Sequence, residues 1–197
     1  MTPRLSAILL AAGAASRMGR PKALLELAGE TFLDRQISLY AALGAKVVCV
    51  LGHHAEQVAR GLRRAADAVL VLNPAPEAGQ LSSLQCGLRA LCEGTEAFFF
   101  TPADSPGVHP ATLEALLEAF QPETVDFVQP QFGGRHGHPV LAAARTAPGF
   151  LAMRPEQSAR ELIRRSRRGF VEVADPSVLL DVDTPEEYRK LVEGGLA

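Results

Sequence analysis

The sequence has 197 residues, which suits a single domain over 1–197, and 47% are hydrophobic, enough for a full core. Lys and Arg number 20 and Asp and Glu 22, so the net charge is −2. Because nucleic-acid binding needs a basic excess, this balance argues against it, whereas a small anionic ligand needs only a few placed cations. No apolar run approaches the ~20 residues of a membrane span. Three cysteines without C-x-x-C spacing favour reduced thiols in the cytoplasm.

The first half of the chain alternates between two kinds of segment. Apolar runs of strand length occupy 6–12, 46–52, 68–73 and 97–104, and amphipathic stretches of helical period lie between them at 31–45, 55–66 and 82–94. None of the apolar runs alternates cleanly between apolar and polar residues, which is typical of parallel strands buried on both faces. This alternation predicts a Rossmann-like α/β fold, with three layers (α/β/α) and a mostly parallel sheet.

The pattern changes in the second half. The sequence predicts a helix over 111–120, two strands around a glycine-rich turn within 126–143, a basic helix over 158–168, two short strands within 170–183 and a closing helix over 184–195. The charged residues of this basic helix are interpreted as a face exposed to solvent. Thr184 is the expected N-cap of the closing helix, with Pro185 in its first turn.

A long, small and basic loop follows the first strand. Between Gly13 and Leu25 the chain carries two glycines, two arginines and one lysine, although connections of this kind are usually about two to six residues long. Ligands of open α/β sheets bind beyond the carboxyl ends of the strands, and small residues let backbone N–H groups approach an anion. We therefore expect the loop to bind a triphosphate, with Arg17 and Lys22 supplying positive charge. The spacing fits neither the P-loop nor the dinucleotide-binding G-x-G-x-x-G motif.

The loop pattern, L-A-A-G-x-x-x-R-M-G-x-P-K-x-L-L, resembles the signature of nucleotidyltransferases that join a nucleoside triphosphate to a phosphorylated acceptor. Four later segments resemble, in order, those of the molybdenum-cofactor cytidylyltransferase family: 79–88, 101–113, 134–141 and 179–188. The similarity covers essentially the whole chain and implies the fold of the nucleotide-diphospho-sugar transferases. The sequence departs from the family pattern at Ala15, Gln80 and Ser105, and over 154–160.

The resemblance implies the residues of the nucleotide site, which are Ala11, Ala12, Gly13, Arg17, Lys22, Gly79 and Ser83. Arg17 would neutralise the β- and γ-phosphates, and Lys22 the α-phosphate and the leaving group; Arg20 is a weaker candidate. Ser83 matches a serine of the family, whereas Ser82 either contacts the ligand or caps the helix. Ala12 favours CTP over GTP, because alanine at this loop position accompanies the cytidine-type enzymes.

Two aspartates are the expected ligands of a divalent ion, Mg²⁺ with Mn²⁺ as an alternative. Asp104 stands at the metal-binding aspartate of the family, although it could instead form a turn before Pro106. Asp183 is the second expected ligand, although it could instead cap the last helix. Asp181 has the same strand parity as Asp183 and is the alternate ligand.

The acceptor side is less well defined by the sequence. The resemblance places Gly137 and His138 in the acceptor site, and the other four histidines are interpreted as surface or structural. The leading hypothesis is an enzyme that transfers CMP from CTP to a phosphorylated pterin, the molybdenum cofactor, and releases pyrophosphate. Two alternatives stay open: the same chemistry with GTP or on a sugar or polyol phosphate, and a non-catalytic module that delivers the cofactor to a molybdoenzyme or its chaperone.

Overall fold

The computed structural model of the protein describes residues 3–154 and 156–194. The strands are β1 (Leu5–Ala11), β2 (Glu26–Leu27), β3 (Glu30–Thr31), β4 (Lys46–Leu51), β5 (Ala68–Leu72), β6 (Ala97–Pro102), β7 (Phe127–Phe132), β8 (Arg135–His136), β9 (Val140–Ala143) and β10 (Arg168–Glu172). The helices are α1 (Phe32–Ala42), α2 (Ala55–Gly61), α3 (Gln80–Arg89), α4 (Pro110–Ala119), α5 (Ala147–Leu151), α6 (Ala159–Arg165) and α7 (Pro185–Gly194). None of these helices is both long and apolar enough to span a bilayer.

A central sheet carries the fold, in the order β10-β7-β9-β6-β1-β4-β5, with β8 added to β7. β1 pairs in parallel with both β4 and β6, whereas β9 runs antiparallel to its two neighbours. Alternate residues of β1 enter different cores: Leu9 packs in the core that includes residues of α1, α2 and α4, and Ile8 in the core that includes residues of α3, α5 and α6. The predicted three-layer fold with a mostly parallel sheet is therefore confirmed.

The four predicted parallel strands are present, but β5 differs in burial. It forms one edge of the sheet, and Val69 and Leu72 are exposed. The prediction of a strand buried on both faces is therefore wrong for β5. The helices are shorter than predicted, since α2 ends at Gly61 and α3 at Arg89.

The segment 126–143 forms three strands where two are predicted. Gly133 and Gly134 both have positive φ, 55° and 76°, and make the tight turn between β7 and the short strand β8. The chain then returns as β9, between β7 and β6. An eight-stranded sheet results, with its antiparallel strands in this half.

The second strand predicted within 170–183 is absent from the described residues there. The Asp175 carboxylate accepts from the backbone N–H of Ser177, and Pro176 starts a 3₁₀ turn that ends at Leu179. Local turn chemistry therefore overrides the apolar pattern of this segment. The predicted N-cap of α7 is confirmed, because the Thr184 hydroxyl accepts from the N–H of Glu187 and the Glu187 carboxylate accepts from the N–H of Thr184. Gly195 lies outside the described residues.

Gly137 lies where two chain segments approach closely. A Cβ at this position would overlap the carbonyl oxygen of Val178, and that oxygen already accepts from the N–H of His138 at 2.8 Å. Gly137→Ala is therefore expected to lower the free energy of unfolding by about 1–3 kcal/mol, the usual cost of overpacking. Thermal and urea unfolding would measure the change, with Gly169→Ala as control because its Cβ would make only ordinary contacts of 3.6 Å. Equal stability of the two variants would contradict this packing role.

Candidate active site

A cleft lies beyond the carboxyl ends of β1 and β6, where ligands of parallel sheets bind. β1 leads into the basic loop, and Asp104 follows β6, which pairs with β1. The segment that carries Asp183 is attached beside them, since the N–H of Val182 donates to the Asp104 carbonyl at 3.0 Å. The predicted site residues that line this cleft are Ala11, Gly13, Arg17, Lys22, Asp104 and Asp183.

Lys22 links the two predicted metal ligands. Its ammonium donates to Asp104 Oδ2 at 2.8 Å and to Asp183 Oδ1, and the side chains of Lys22 and Asp104 are only 19% and 23% exposed. Burial disfavours the charged ammonium, but the hydrogen bonds and charges of both carboxylates outweigh it and raise the pKa of Lys22. The hydrogen bond from Lys22 in turn lowers the pKa of Asp183.

The loop itself is held by few contacts. Arg17 is 69% exposed and its guanidinium lies 3.9 Å from Asp183 Oδ2, so it is free to turn toward a ligand. Ala15 has a positive φ of 50° and its carbonyl accepts from the N–H of Met18. His54 Nε2 lies 3.0 Å from the carbonyl oxygen of Ala14.

His54 also lines the cleft, so interpreting it as surface or structural misses a residue of the site. It follows β4, the strand that pairs with β1 on the side away from β6. The rule that places ligands beyond parallel strands could have identified it from the sequence.

The other predicted nucleotide residues lie outside this cleft. Ala12 is buried, and its carbonyl accepts from the N–H of His53 at 3.4 Å. Gly79, with φ +103°, is the N-cap of α3, so the expectation that Ser82 caps this helix is wrong. The Ser82 hydroxyl instead donates to the Gly79 carbonyl at 2.8 Å.

Asn73 organises the start of α3. Its side-chain amide donates to the hydroxyls of Ser82 and Ser83 at 2.9 and 3.0 Å, and all three residues are buried. The Ser83 hydroxyl is therefore engaged within the protein. Ser83 stays a predicted nucleotide-binding residue, but it does not line the cleft that contains Lys22.

Asp181 and Asp183 do not share a strand face, because 180–184 contains no strand. The parity argument that makes Asp181 an alternate metal ligand is therefore wrong. Asp181 Oδ1 accepts from the Ser105 hydroxyl at 3.0 Å, whereas Asp183 faces Lys22 and lines the cleft.

A second cleft adjoins the first and contains the predicted acceptor residues Gly137 and His138. Nδ1 of His138 is buried and has no hydrogen-bond partner among the residues that the structure describes. Burial lowers the pKa of His138, although the nearby charges of Asp181 and Asp104 act in the opposite direction. The charge of Asp104, which lines the first cleft, therefore acts on a residue of the second cleft. Four arginines also line the second cleft, and two of them, Arg160 and Arg164, belong to the helix that the sequence assigns a solvated face.

The residues present fit a divalent ion only if a bound ligand supplies further oxygen donors. Asp104 and Asp183 supply hard oxygen atoms that already converge on one cation, Lys22. In the described parts of the chain, no group of three or more His, Cys, Asp or Glu side chains could hold a metal ion. Mg²⁺ typically takes one or two carboxylates together with substrate phosphates and water, which matches a two-carboxylate site beside a phosphate-binding loop.

Comparison with known proteins identifies the family. The sequence model of the MobA-like NTP transferase domain family matches residues 7–170. The chain belongs to this family. It is therefore a nucleotidyltransferase by family, as the resemblance of its loop pattern implies.

Three relatives show how the family varies. The chain is 24% identical to the molybdenum cofactor cytidylyltransferase of Escherichia coli K12, over 92% of each chain. It is 30% identical to the purine catabolism protein PucB of Bacillus subtilis 168, over 95% of each. A molybdenum cofactor guanylyltransferase of Sinorhizobium fredii is 35% identical over 58% of this chain and 52% of its own.

Solved structures of related proteins have the same fold. Rv0371c of Mycobacterium tuberculosis H37Rv superposes with a TM-score of 0.83 and 25% identity, over 98% of this chain and 99% of its own. Its manganese complex superposes with a TM-score of 0.81 and 22% identity, over 98% and 100% of the two chains. These likenesses agree with the three-layer architecture described above.

Proposed function

We propose that the protein transfers CMP from CTP to the phosphate of a pterin acceptor, the molybdenum cofactor, and releases pyrophosphate. The observation that carries the proposal is the placement of Lys22, Asp104 and Asp183 at one point of the cleft, directly beneath the basic loop. A nucleotidyl transfer needs this combination, because the chemistry consists of positioning the phosphates and stabilising their charge.

The basic loop would bind the triphosphate. Gly13 and its neighbours present backbone at the end of β1, and Arg17 and Lys22 add two cations to the same cleft. An oxygen of the acceptor phosphate attacks the α-phosphorus, and the bond to the pyrophosphate oxygen breaks. Lys22 stabilises the charge that develops on the leaving group, and Arg17 neutralises the terminal phosphates.

Asp104 and Asp183 would hold Mg²⁺ or Mn²⁺, and one solved structure of Rv0371c is a complex with manganese. Such an ion, when bound, would supply positive charge that offsets the negative charge of the phosphates. The two carboxylates also favour an enzyme over a non-catalytic delivery module, because a module would need the triphosphate loop but not the metal ligands.

The second cleft would hold the acceptor. His138 lines this cleft. Its buried Nδ1 has no hydrogen-bond partner among the described residues, so a polar group of the acceptor that reached this nitrogen would satisfy it. Gly137 shapes the same wall, because its missing side chain lets Val178 approach. An acceptor phosphate would bind beside His138 and react with the nucleotide held in the first cleft.

We expect CTP to be used in preference to GTP, by a factor on the order of 10² or more in kcat/KM, because a site that hydrogen-bonds one base leaves its polar groups unpaired with another. Ala12 and the similarity to a cytidylyltransferase over 92% of the chain support this preference, whereas a guanylyltransferase among the relatives favours the alternative. Competition kinetics with all four nucleoside triphosphates, followed by pyrophosphate release, would decide. GTP used as well as CTP would remove the base preference but leave the transfer chemistry intact.

The acceptor needs its own test. Pyrophosphate release with CTP is expected to require the molybdenum cofactor, and sugar phosphates and polyol phosphates are expected to give background rates. A polyol phosphate that supports turnover while the molybdenum cofactor does not would replace this acceptor assignment.

A further inference from the structure

Four arginine side chains line the second cleft: Arg135, Arg160, Arg164 and Arg168. None of them forms an ion pair with a carboxylate among the residues that the structure describes. By contrast, Arg145 and Arg167 share the carboxylate of Asp126. Glu161, the one acidic residue among those lining this cleft, is already engaged, since its carboxylate accepts from the N–H of Ser158 and from the side chain of Gln157.

These arginines come from three elements that line the second cleft. Arg160 lies in the first turn of α6 and lines the cleft together with His138. Arg164 follows one turn later on α6, about 6 Å along the helix axis. Like charges at this spacing repel and weaken a helix, so the pair is stabilised when an anion lies between or beside the two. Arg168 begins β10, and Arg135 lies in β8.

One phosphomonoester accounts for only part of this charge. A reacting phosphate beside His138 that also bound Arg160 would leave Arg135, Arg164 and Arg168 without an anion. We propose that these three arginines form a second anion subsite. The acceptor is then a phosphomonoester that carries a further anionic group about one helical turn or more from the phosphate that reacts. This inference rests on the proposed function, since it assumes that the second cleft holds the acceptor.

Binding of simple anions to the full chain tests the subsite without any turnover. Isothermal titration calorimetry at fixed ionic strength would compare alkanediol bisphosphates of increasing length with alkyl monophosphates of the same length. The wild type is expected to bind the best bisphosphate at least tenfold more tightly than its monophosphate. Arg164→Gln and Arg168→Gln are each expected to reduce this preference to near unity.

Two control variants make the result specific. Arg165→Gln removes the same charge from the same helix, but Arg165 is not among the residues that line the cleft, so the preference is expected to persist. Lys22→Ala is also expected to keep it, and a preference lost in Lys22→Ala alone would mean that the probe binds in the first cleft, which overturns the proposal. Equal binding of mono- and bisphosphates by the wild type, or equal losses in Arg164→Gln and Arg165→Gln, would overturn it as well. Pyrophosphate release from CTP is measured separately, so the anion subsite and the proposed function can each be rejected without the other.

Lys22 supports a second, independent inference. In this structure its ammonium is the cation that Asp104 and Asp183 share, and its side chain is largely buried there. We infer that Lys22 competes with the divalent ion for these two carboxylates. The nucleotide-free protein should therefore bind the metal alone weakly, and tight binding should require the phosphates that draw Lys22 away.

Direct metal binding tests this competition. Electron paramagnetic resonance would measure free Mn²⁺ in titrations of the nucleotide-free protein. Lys22→Met keeps the aliphatic stem but removes the charge, and it is expected to bind Mn²⁺ at least tenfold more tightly than the wild type. Arg17→Gln, which removes a cation 3.9 Å from Asp183, is expected to change the affinity less. Unchanged or weaker Mn²⁺ binding by a folded Lys22→Met protein would overturn the inference, as would tight binding that survives Asp104→Asn in the same background.

Discussion

Replacing Lys22 with alanine is expected to lower kcat/KM for CTP by a factor on the order of 10²–10³, and the same loss is expected for Arg17→Ala. The physical reason is that a positioned donor aimed at developing charge contributes about 2.7–4 kcal/mol to transition-state stabilisation. Lys22 already lies between the two carboxylates at the base of the cleft. Steady-state pyrophosphate release would measure both losses.

Arg20→Ala is the matched control for these two variants. Arg20 belongs to the same loop, but its guanidinium lies over the ring of Tyr188, 5.3 Å from the centroid, and it is not among the residues that line the cleft. The decrease in kcat/KM for Arg20→Ala is expected to be much smaller than that for Lys22→Ala. Turnover at the wild-type level in both Arg17→Ala and Lys22→Ala would remove the triphosphate role of the loop.

Asp104→Asn and Asp183→Asn are expected to abolish turnover that depends on Mg²⁺, while both proteins remain folded. The two carboxylates converge on one cation in the cleft, and an amide is a much weaker ligand for a hard cation than a carboxylate. Asp181→Asn is expected to lower this turnover less. The Asp181 carboxylate accepts a hydrogen bond from the Ser105 hydroxyl, and an asparagine could still accept it. Titrating Mg²⁺ against activity in the three variants would test this order.

Two results would change the assignment of the ligands. If Asp181→Asn is as damaging as Asp104→Asn while Asp183→Asn keeps normal Mg²⁺ dependence, the second ligand is Asp181. If all three variants stay active, the mechanism does not use a metal held by these carboxylates.

The parallel half of the sheet could be predicted from the sequence because its strands are buried on both faces. β1, β4 and β6 are predominantly apolar and do not alternate between apolar and polar residues, a pattern that is typical of parallel strands buried on both faces. The position of the basic loop follows from the same reasoning, since it must leave the sheet at the end of β1. The pairing of β6 with β1 then brings Asp104 to Lys22.

The remaining features depend on contacts between distant segments or on local turns. The apolar residues Val178 to Leu180 suggest a strand, but the hydrogen bond from Ser177 to Asp175 turns the chain there. Asp181 then accepts from Ser105, whereas Asp183 accepts from Lys22. The charges of the 158–168 segment indicate only a solvated face. The sequence does not show that arginines of β8 and β10 line the same cleft. Nothing in the sequence singles out Asn73 either, although its side-chain amide donates to the hydroxyls of both serines of α3.

The most direct test of the central claim is to follow the α-phosphate of CTP. The purified protein would be incubated with Mg²⁺, molybdenum cofactor and CTP labelled at the α-phosphate, and the product would be analysed by mass spectrometry and radiochemical chromatography. The account predicts a labelled CMP–pterin dinucleotide formed in equal amount to pyrophosphate, and its loss in Lys22→Ala. Label that remains in CTP, or that appears only as free CMP, would contradict nucleotidyl transfer to this acceptor.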